Sequence, residues 1–106
     1  MPKDLKTVEY YDTYSALLTK KQKEAMEMYY YSDLSLTEIA EETGVTRQAA
    51  FNTIKNSEAR LYELEDAMKL IEKRKMLEKN LNLLKLLLKD REQGEKIIEE
   101  IRELFI

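Results

Sequence analysis

The chain has no cysteine, no histidine and no tryptophan, and in 106 residues it has one proline and two glycines. Each absence removes a class of chemistry. Without cysteine there is no disulfide framework, which suits a reducing compartment. Without cysteine and histidine there is no Cys/His zinc site, no Ser-His-Asp triad and no Cys-His pair. Glycine stands only at Gly44 and Gly94, so no phosphate-cradling glycine loop exists. The single proline is Pro2, so proline bars nothing from Lys3 onward from helix. Valine, a strand former, occurs only at Val8 and Val45. No apolar run of membrane-spanning length is present, and MPKDLKTVEYY lacks a signal-peptide core. The expectation is an all-α, soluble, cytoplasmic protein that inserts in no membrane, is not an enzyme, and needs no cofactor and no metal.

What is present is charge and apolar surface, at 37% and 43% of residues. That balance suits one domain with an appended helical segment. The many carboxylates lie along helix faces beside Lys and Arg. They read as solvated surface, not as a catalytic pair.

The most informative stretch is LTEIAEETGVTRQAAFNTIK, residues 36–55. Leu36, Ile39, Ala40 and Thr43 recur at helical spacing. Gly44 follows, where a helix end wants a residue free to enter the left-handed region. Val45 supplies an apolar plug, and Thr46 is placed to cap the next helix. Ala50, Ile54, Ser57 and Leu61 continue inward. Small residues at Ala40 and Ala50 let two helices cross closely. Ala at the fifth position, Gly at the ninth and Val at the tenth fit a helix-turn-helix, whose second helix enters a DNA major groove. The competing reading is an ordinary αα-corner between core helices. Arg47, Gln48, Asn52 and Lys55 fall on the outward face and favour the first.

Upstream, residues 3–18 read as a first helix. Leu5, Val8, Tyr11 or Asp12, and Ser15 track one face, which Tyr10, Tyr14, Leu17 and Leu18 widen. The tyrosines fit a core with wetted hydroxyls, or a surface that stacks on bases. Thr19 with Gln22, and Ser35 with Glu38, have the spacing of capping boxes. They open helices over residues 20–31 and 36–43, separated by the turn chemistry of Ser32, Asp33 and Ser35.

Downstream, no breaker appears from Arg47 to Lys89. One long helix fits, as do two helices joined by a bend that propensity does not mark. Ala67, Leu70, Arg74, Leu77, Leu81, Leu84 and Leu88 form a heptad seam with one charged interruption. Leu83, Leu86 and Leu87 widen it beyond one stripe, so this helix wants cover on several sides. Residues 90–94 read as a break before a last helix, 95–105. That helix carries Ile97, Ile98, Ile101, Leu104 and Phe105 on one face, and folds back on the leucines or packs on another subunit.

Net charge is −3, from 18 basic and 21 acidic residues. Residues 46–62 hold Arg47, Lys55 and Arg60 against Glu58 alone, the only net-positive region. Lys20, Lys21 and Lys23 add a second small patch. An acidic protein binds random DNA poorly, so a DNA role needs a matched site and more than one copy. An acidic helix-turn-helix also suits a module that binds protein instead.

LTKKQKEAMEMYYYSDLSLTEIAEETGVTRQAAFNTIK resembles the YlxM-type family of small bacterial helix-turn-helix proteins, itself similar to sigma factor region four. The most specific pieces are LTKKQ, YYYSDLSLTEIAEE and TRQAAFNTIK. The pattern departs at Asn52, where the family often carries an acid, and at Ala50, where it often carries Val. The resemblance implies a three- to four-helix, winged-helix-like domain of the sigma region four type over residues 1–62. The surplus of leucine faces, which fits the family only in general character, calls for a C-terminal helical arm over 63–106, with homo-oligomerisation, at least as a dimer, through 67–106. The resemblance also implies a DNA-binding regulator of transcription linked to the signal recognition particle, with that particle's protein or RNA as other targets. The resemblance carries the DNA-reading role over to Arg47, Gln48, Asn52 and Lys55 only; with Thr46, Phe51 and Arg60, read from the helix itself, these make the DNA-facing set. Arg47 would read guanine and Gln48 or Asn52 adenine. Phe51 would touch a thymine methyl or pack inward, and Lys55 and Arg60 would hold phosphate. The alternative function is a protein-interaction adaptor in protein targeting that keeps the helix-turn-helix as scaffold.

Overall fold

In the computed structural model, which describes residues 3–88 and 90–104, every regular element is a helix. The helices fall into two units, Met1–Met68 and Lys69–Ile106. In the first, Asp4 opens α1 (Leu5–Tyr14) by accepting the Lys6 N–H at 2.9 Å, and a 3-10 turn over Ser15–Leu17 follows. The buried stripe runs through Thr7, Tyr10, Tyr11, Tyr14 and Leu18, not through Leu5, Val8 and Ser15. Leu5 is exposed because that register places three tyrosine rings in the core, and they bury more area than the aliphatic alternative. Tyr10 packs on Tyr62 with ring centroids 4.8 Å apart, and Tyr11 on Tyr31 at 5.8 Å. These rings are core, not a base-stacking surface.

Both capping boxes form. Gln22 N–H donates to Thr19 Oγ1 at 3.1 Å and Thr19 N–H to Gln22 Oε1 at 3.0 Å, opening α2 (Lys20–Tyr30). Glu38 N–H donates to Ser35 Oγ at 3.1 Å and Ser35 N–H to Glu38 Oε1 at 3.0 Å, opening α3 (Leu36–Thr43). Between them Asp33 takes φ 55°, a left-handed conformation that a short polar side chain tolerates. At the end of α3, Gly44 has φ 70° and ψ 30°. The N–H groups of Gly44 and Val45 both return to the Ala40 carbonyl, as in a Schellman-type ending. A Cβ on Gly44 would meet nothing within 4 Å. Glycine is therefore needed there for its dihedral and not for close approach.

The fourth helix, α4 (Arg47–Met68), is the centre of the unit: α1, α2 and α3 all pack on it. Ala50, Ile54, Ser57, Leu61, Leu64 and Glu65 form its buried face. Ser57 is fully buried yet satisfied, since its hydroxyl donates to the Thr53 carbonyl at 2.6 Å. Glu65 accepts from the Tyr14 hydroxyl. The helix ends at Lys69, whose φ of 54° is left-handed without being glycine. This is the bend that propensity does not mark. It falls past the expected boundary at Tyr62 because Leu64 and Glu65 still belong to the first core. Ala67 and Leu70 therefore belong to different helices, and the expected heptad seam does not lie on a single helix.

In the second unit, α5 (Leu70–Leu87) and α6 (Arg91–Glu103) pack together. Asp90 caps α6, accepting the Gln93 N–H at 3.1 Å. Gly94 is therefore not part of a break: it lies inside α6, buried against the Leu88 side chain. Arg102 ties the pair, its Nε donating to both Glu78 oxygens at 3.0 Å and its Nη2 to Asn82 Oδ1 at 2.7 Å. Lys85 and Glu95 add an ion pair at 3.6 Å. Leu81 and Ile98 are buried, whereas Leu83, Leu84, Leu86, Leu87, Ile97 and Leu104 stay exposed. Phe105 lies outside the described residues. Among those described, no helix is long and apolar enough to cross a membrane.

A side chain at position 44 meets no clash, so its cost is backbone strain alone. Gly44→Val should destabilise the fold by about 1–3 kcal/mol, and Gly44→Asn by clearly less. Denaturant midpoints of the three proteins at equal m-value measure this, and an unchanged midpoint for the Val variant would place the strain elsewhere.

Candidate nucleic-acid interface

With one face of α4 held by three helices, the opposite face near its N-terminus is turned to solvent. Thr46 spends its hydroxyl oxygen on the helix start, accepting the Ala49 N–H at 3.0 Å. Its O–H hydrogen remains free to donate outward. Arg47, Gln48, Asn52 and Lys55 are all exposed, and Phe51 is half-buried. At about 100° per residue, Gln48 and Asn52 lie one above the other on the outward strip.

Gln48 Nε2 donates to Asn52 Oδ1 at 3.0 Å. That bond fixes how the two amides present themselves. Gln48 Oε1 is left as an acceptor and Asn52 Nδ2 as a donor, side by side. An adenine edge in the major groove offers the complement, an N6 donor and an N7 acceptor. Arg47 stands on the flank of the same strip and makes no ion pair or side-chain hydrogen bond with a described residue.

The two expected phosphate contacts are differently placed. Lys55 lies on the outward face, but its Nζ is 3.7 Å from Glu58 Oε1 and 5.8 Å from the centroid of the Phe51 ring. Arg60 pairs with Glu63 at 3.5 Å and faces a hollow lined by Leu17, Thr19, Gln22 and Asn56. It is not brought together with Gln48 and Asn52. Each of these cations thus has a carboxylate beside it. The carboxylates responsible, Glu58 and Glu63, stand three residues after their partners, a spacing legible in the sequence. Glu58 also accepts from the Tyr30 hydroxyl, which anchors it to α2. Burial, then that carboxylate, push the Tyr30 phenol well above its usual range. The Asp12 carboxylate, then burial, push Tyr31 up to about 12.

Among the described residues no group of His, Cys, Asp and Glu is placed to hold a metal ion. A polar, partly cationic helix face set on a tight left-handed turn defines a helix-turn-helix protein. Residues 1–104 match the UPF0122 family, described as "Putative helix-turn-helix protein, YlxM / p13 like", and the chain belongs to that family. It is 42% identical to a UPF0122 protein of Bacillus mycoides over 98 residues, 89% of each chain. UPF0122 proteins of Bacillus thuringiensis and Bacillus anthracis are 41% and 40% identical over the same shares.

The phenols also set a limit on alkaline stability. Tyr11, Tyr30 and Tyr31 are all held neutral more firmly in the fold than in the unfolded chain, whose tyrosines ionise near 10.0. The stability this carries is complete below that pH and is lost as pH rises from there through 12. Denaturant midpoints should fall between pH 9 and 12, with a shallower fall for Tyr30→Phe. Parallel curves for the two proteins would remove Tyr30 from the effect.

Proposed function

We propose that this protein is a cytoplasmic, non-catalytic regulator that binds duplex DNA through the N-terminal half of α4. The observation that carries the reading is the Gln48–Asn52 amide pair beside Arg47, which pairs with no described residue. The two amide groups match adenine, and the Arg47 guanidinium matches the O6 and N7 of guanine. Thr46, at the helix start, contributes a phosphate contact in this reading. Because the chain is acidic, one copy has little non-specific affinity, and two copies on paired half-sites supply the rest. The second unit provides the means: Leu83, Leu86, Leu87 and Ile97 remain exposed after α6 has covered Leu81. A second copy of the same surface covers them.

A second reading has its own observation. Glu38, Glu41 and Glu42 line a shallow acidic hollow on α3 with Leu34, on the helix that precedes the recognition turn. Carboxylates there repel phosphate, and they suit a basic protein partner. In that reading the domain is an adaptor in the signal recognition particle pathway, the link that the family resemblance implies.

Selection from a random DNA pool near physiological salt decides between them. In the DNA reading a site enriches, and Arg47→Ala costs about 1–3 kcal/mol at that site while relaxing preference at one base pair. If no sequence enriches, and a targeting-pathway protein is bound instead, the adaptor stands. Assembly is tested separately by sedimentation equilibrium at micromolar concentration. Wild type should be a dimer, and Leu83→Glu/Leu87→Glu a folded monomer, because each change would bury a charge in an apolar contact. A monomeric wild type would remove the paired-site arrangement.

A further inference from the structure

With a carboxylate beside each of Lys55 and Arg60, the DNA reading calls for further cations at the backbone. The candidates are the cations of the first unit that lack such a partner. Lys3 pairs with Asp33. Lys6 also makes no ion pair with a described residue, but its ammonium stands over the rings of Tyr10 and Tyr62, so it is already engaged. Apart from Arg47, that leaves Lys20, Lys21 and Lys23, none of which makes an ion pair with a described residue. Glu24 and Glu27 stand four residues after Lys20 and Lys23 yet do not close on them, and Lys21 has Ala25 at that spacing.

All three lysines lie at the start of α2, whose first turn contains no acidic residue. The helix dipole makes this end positive, so cations here work against the fold. A sequence that places three unpaired cations on the wrong end of a helix breaks a local rule with no structural return, and such breaches mark functional sites. Position supplies an independent observation. Lys21 lines a narrow cleft with Thr43 and Val45, at the helix-turn-helix corner, and with Ala49 and Thr53 of α4. Ala49 and Thr53 lie on one flank of the outward strip, and Arg47 lies on the other, with Gln48 and Asn52 between them. A recognition helix in a major groove has a phosphate strand along each flank.

We propose that Lys21, assisted by Lys20 and Lys23, contacts the DNA phosphate strand on the flank of α4 opposite Arg47, and supplies the main electrostatic term in binding. This rests on the DNA reading given above. The ligand is the phosphodiester backbone of duplex DNA, without regard to base sequence.

The test is fluorescence anisotropy of a labelled random-sequence duplex, titrated with full-length protein at several salt concentrations. Lys20→Gln/Lys21→Gln should flatten the slope of log K against log salt by about two units. Lys79→Gln/Lys96→Gln loses the same charge from the second unit and controls for net charge. In parallel, Lys20→Glu/Lys21→Glu should abolish binding while raising the melting temperature, since acids suit a helix start. A structural role for the lysines would lower it instead. If wild type binds but the Gln pair matches its control, the lysines are not the phosphate contact while the DNA reading survives. If wild type binds no duplex even at low salt, the DNA reading fails and this inference with it.

Discussion

Everything in the first unit depends on α4 being gripped along one face by three helices at once. Ile54, Ser57 and Leu61 are fully enclosed there, and Ala50 allows the approach near the helix start. Close packing on that side commits the opposite side to solvent, so a rigid polar strip is produced by burial elsewhere. The left-handed Gly44 sets how α3 delivers the chain into α4. With that dihedral and the Thr46 cap in place, Gln48 and Asn52 start from a fixed backbone, and one amide hydrogen bond suffices to orient both. Preorganisation of this kind reduces the ordering cost of any contact the strip makes.

Charge is distributed by pairing more than by count. The protein is acidic overall, and residues 46–62 are positive by only a small margin. Once Lys55 and Arg60 are matched with Glu58 and Glu63, that margin rests on Arg47. Surface pairs of this length are weak, and salt screens them further. Even so, a carboxylate fixed beside a lysine opposes an approaching phosphate. Lys20, Lys21 and Lys23, at the start of α2, make no ion pair with a described residue, and Lys21 lines the same cleft as Ala49 and Thr53 of α4.

The second unit deals with a surplus of leucine. Folding α6 back on α5 encloses Leu81 and Ile98, and the Arg102 fork on Glu78 and Asn82 fixes the pairing of the two helices. One helix cannot cover another that is apolar around most of its circumference. Leu83, Leu86 and Leu87 are left on the outside for that geometric reason.

The helix class, both capping boxes, the Gly44 turn and the inward run from Ala50 to Leu61 were legible in the sequence. Each rests on local physics: hydroxyl caps, a left-handed glycine and a 3.6-residue period. The outward set from Arg47 to Lys55 was legible for the same reason, since the period that points some residues inward points the others outward. What stayed illegible depended on choices between near-equal local options. Thr7 in place of Leu5 faces the core because three tyrosines pack better that way. Lys69 ends α4 because the first core is complete at Glu65, although lysine has no preference for a left-handed turn. Gly94 sits inside a helix because Asp90 caps upstream of it and Leu88 packs against it. Which cations pair with a described carboxylate, and that Lys21 lines a cleft with Ala49 and Thr53, are facts about side chains from different helices. The sequence by itself determined the periodicity and the caps, which are matters of neighbours in the chain. Only the tertiary structure decided the register of α1, the place of the bend and the pairing of charges, because each depends on contacts between residues far apart in sequence.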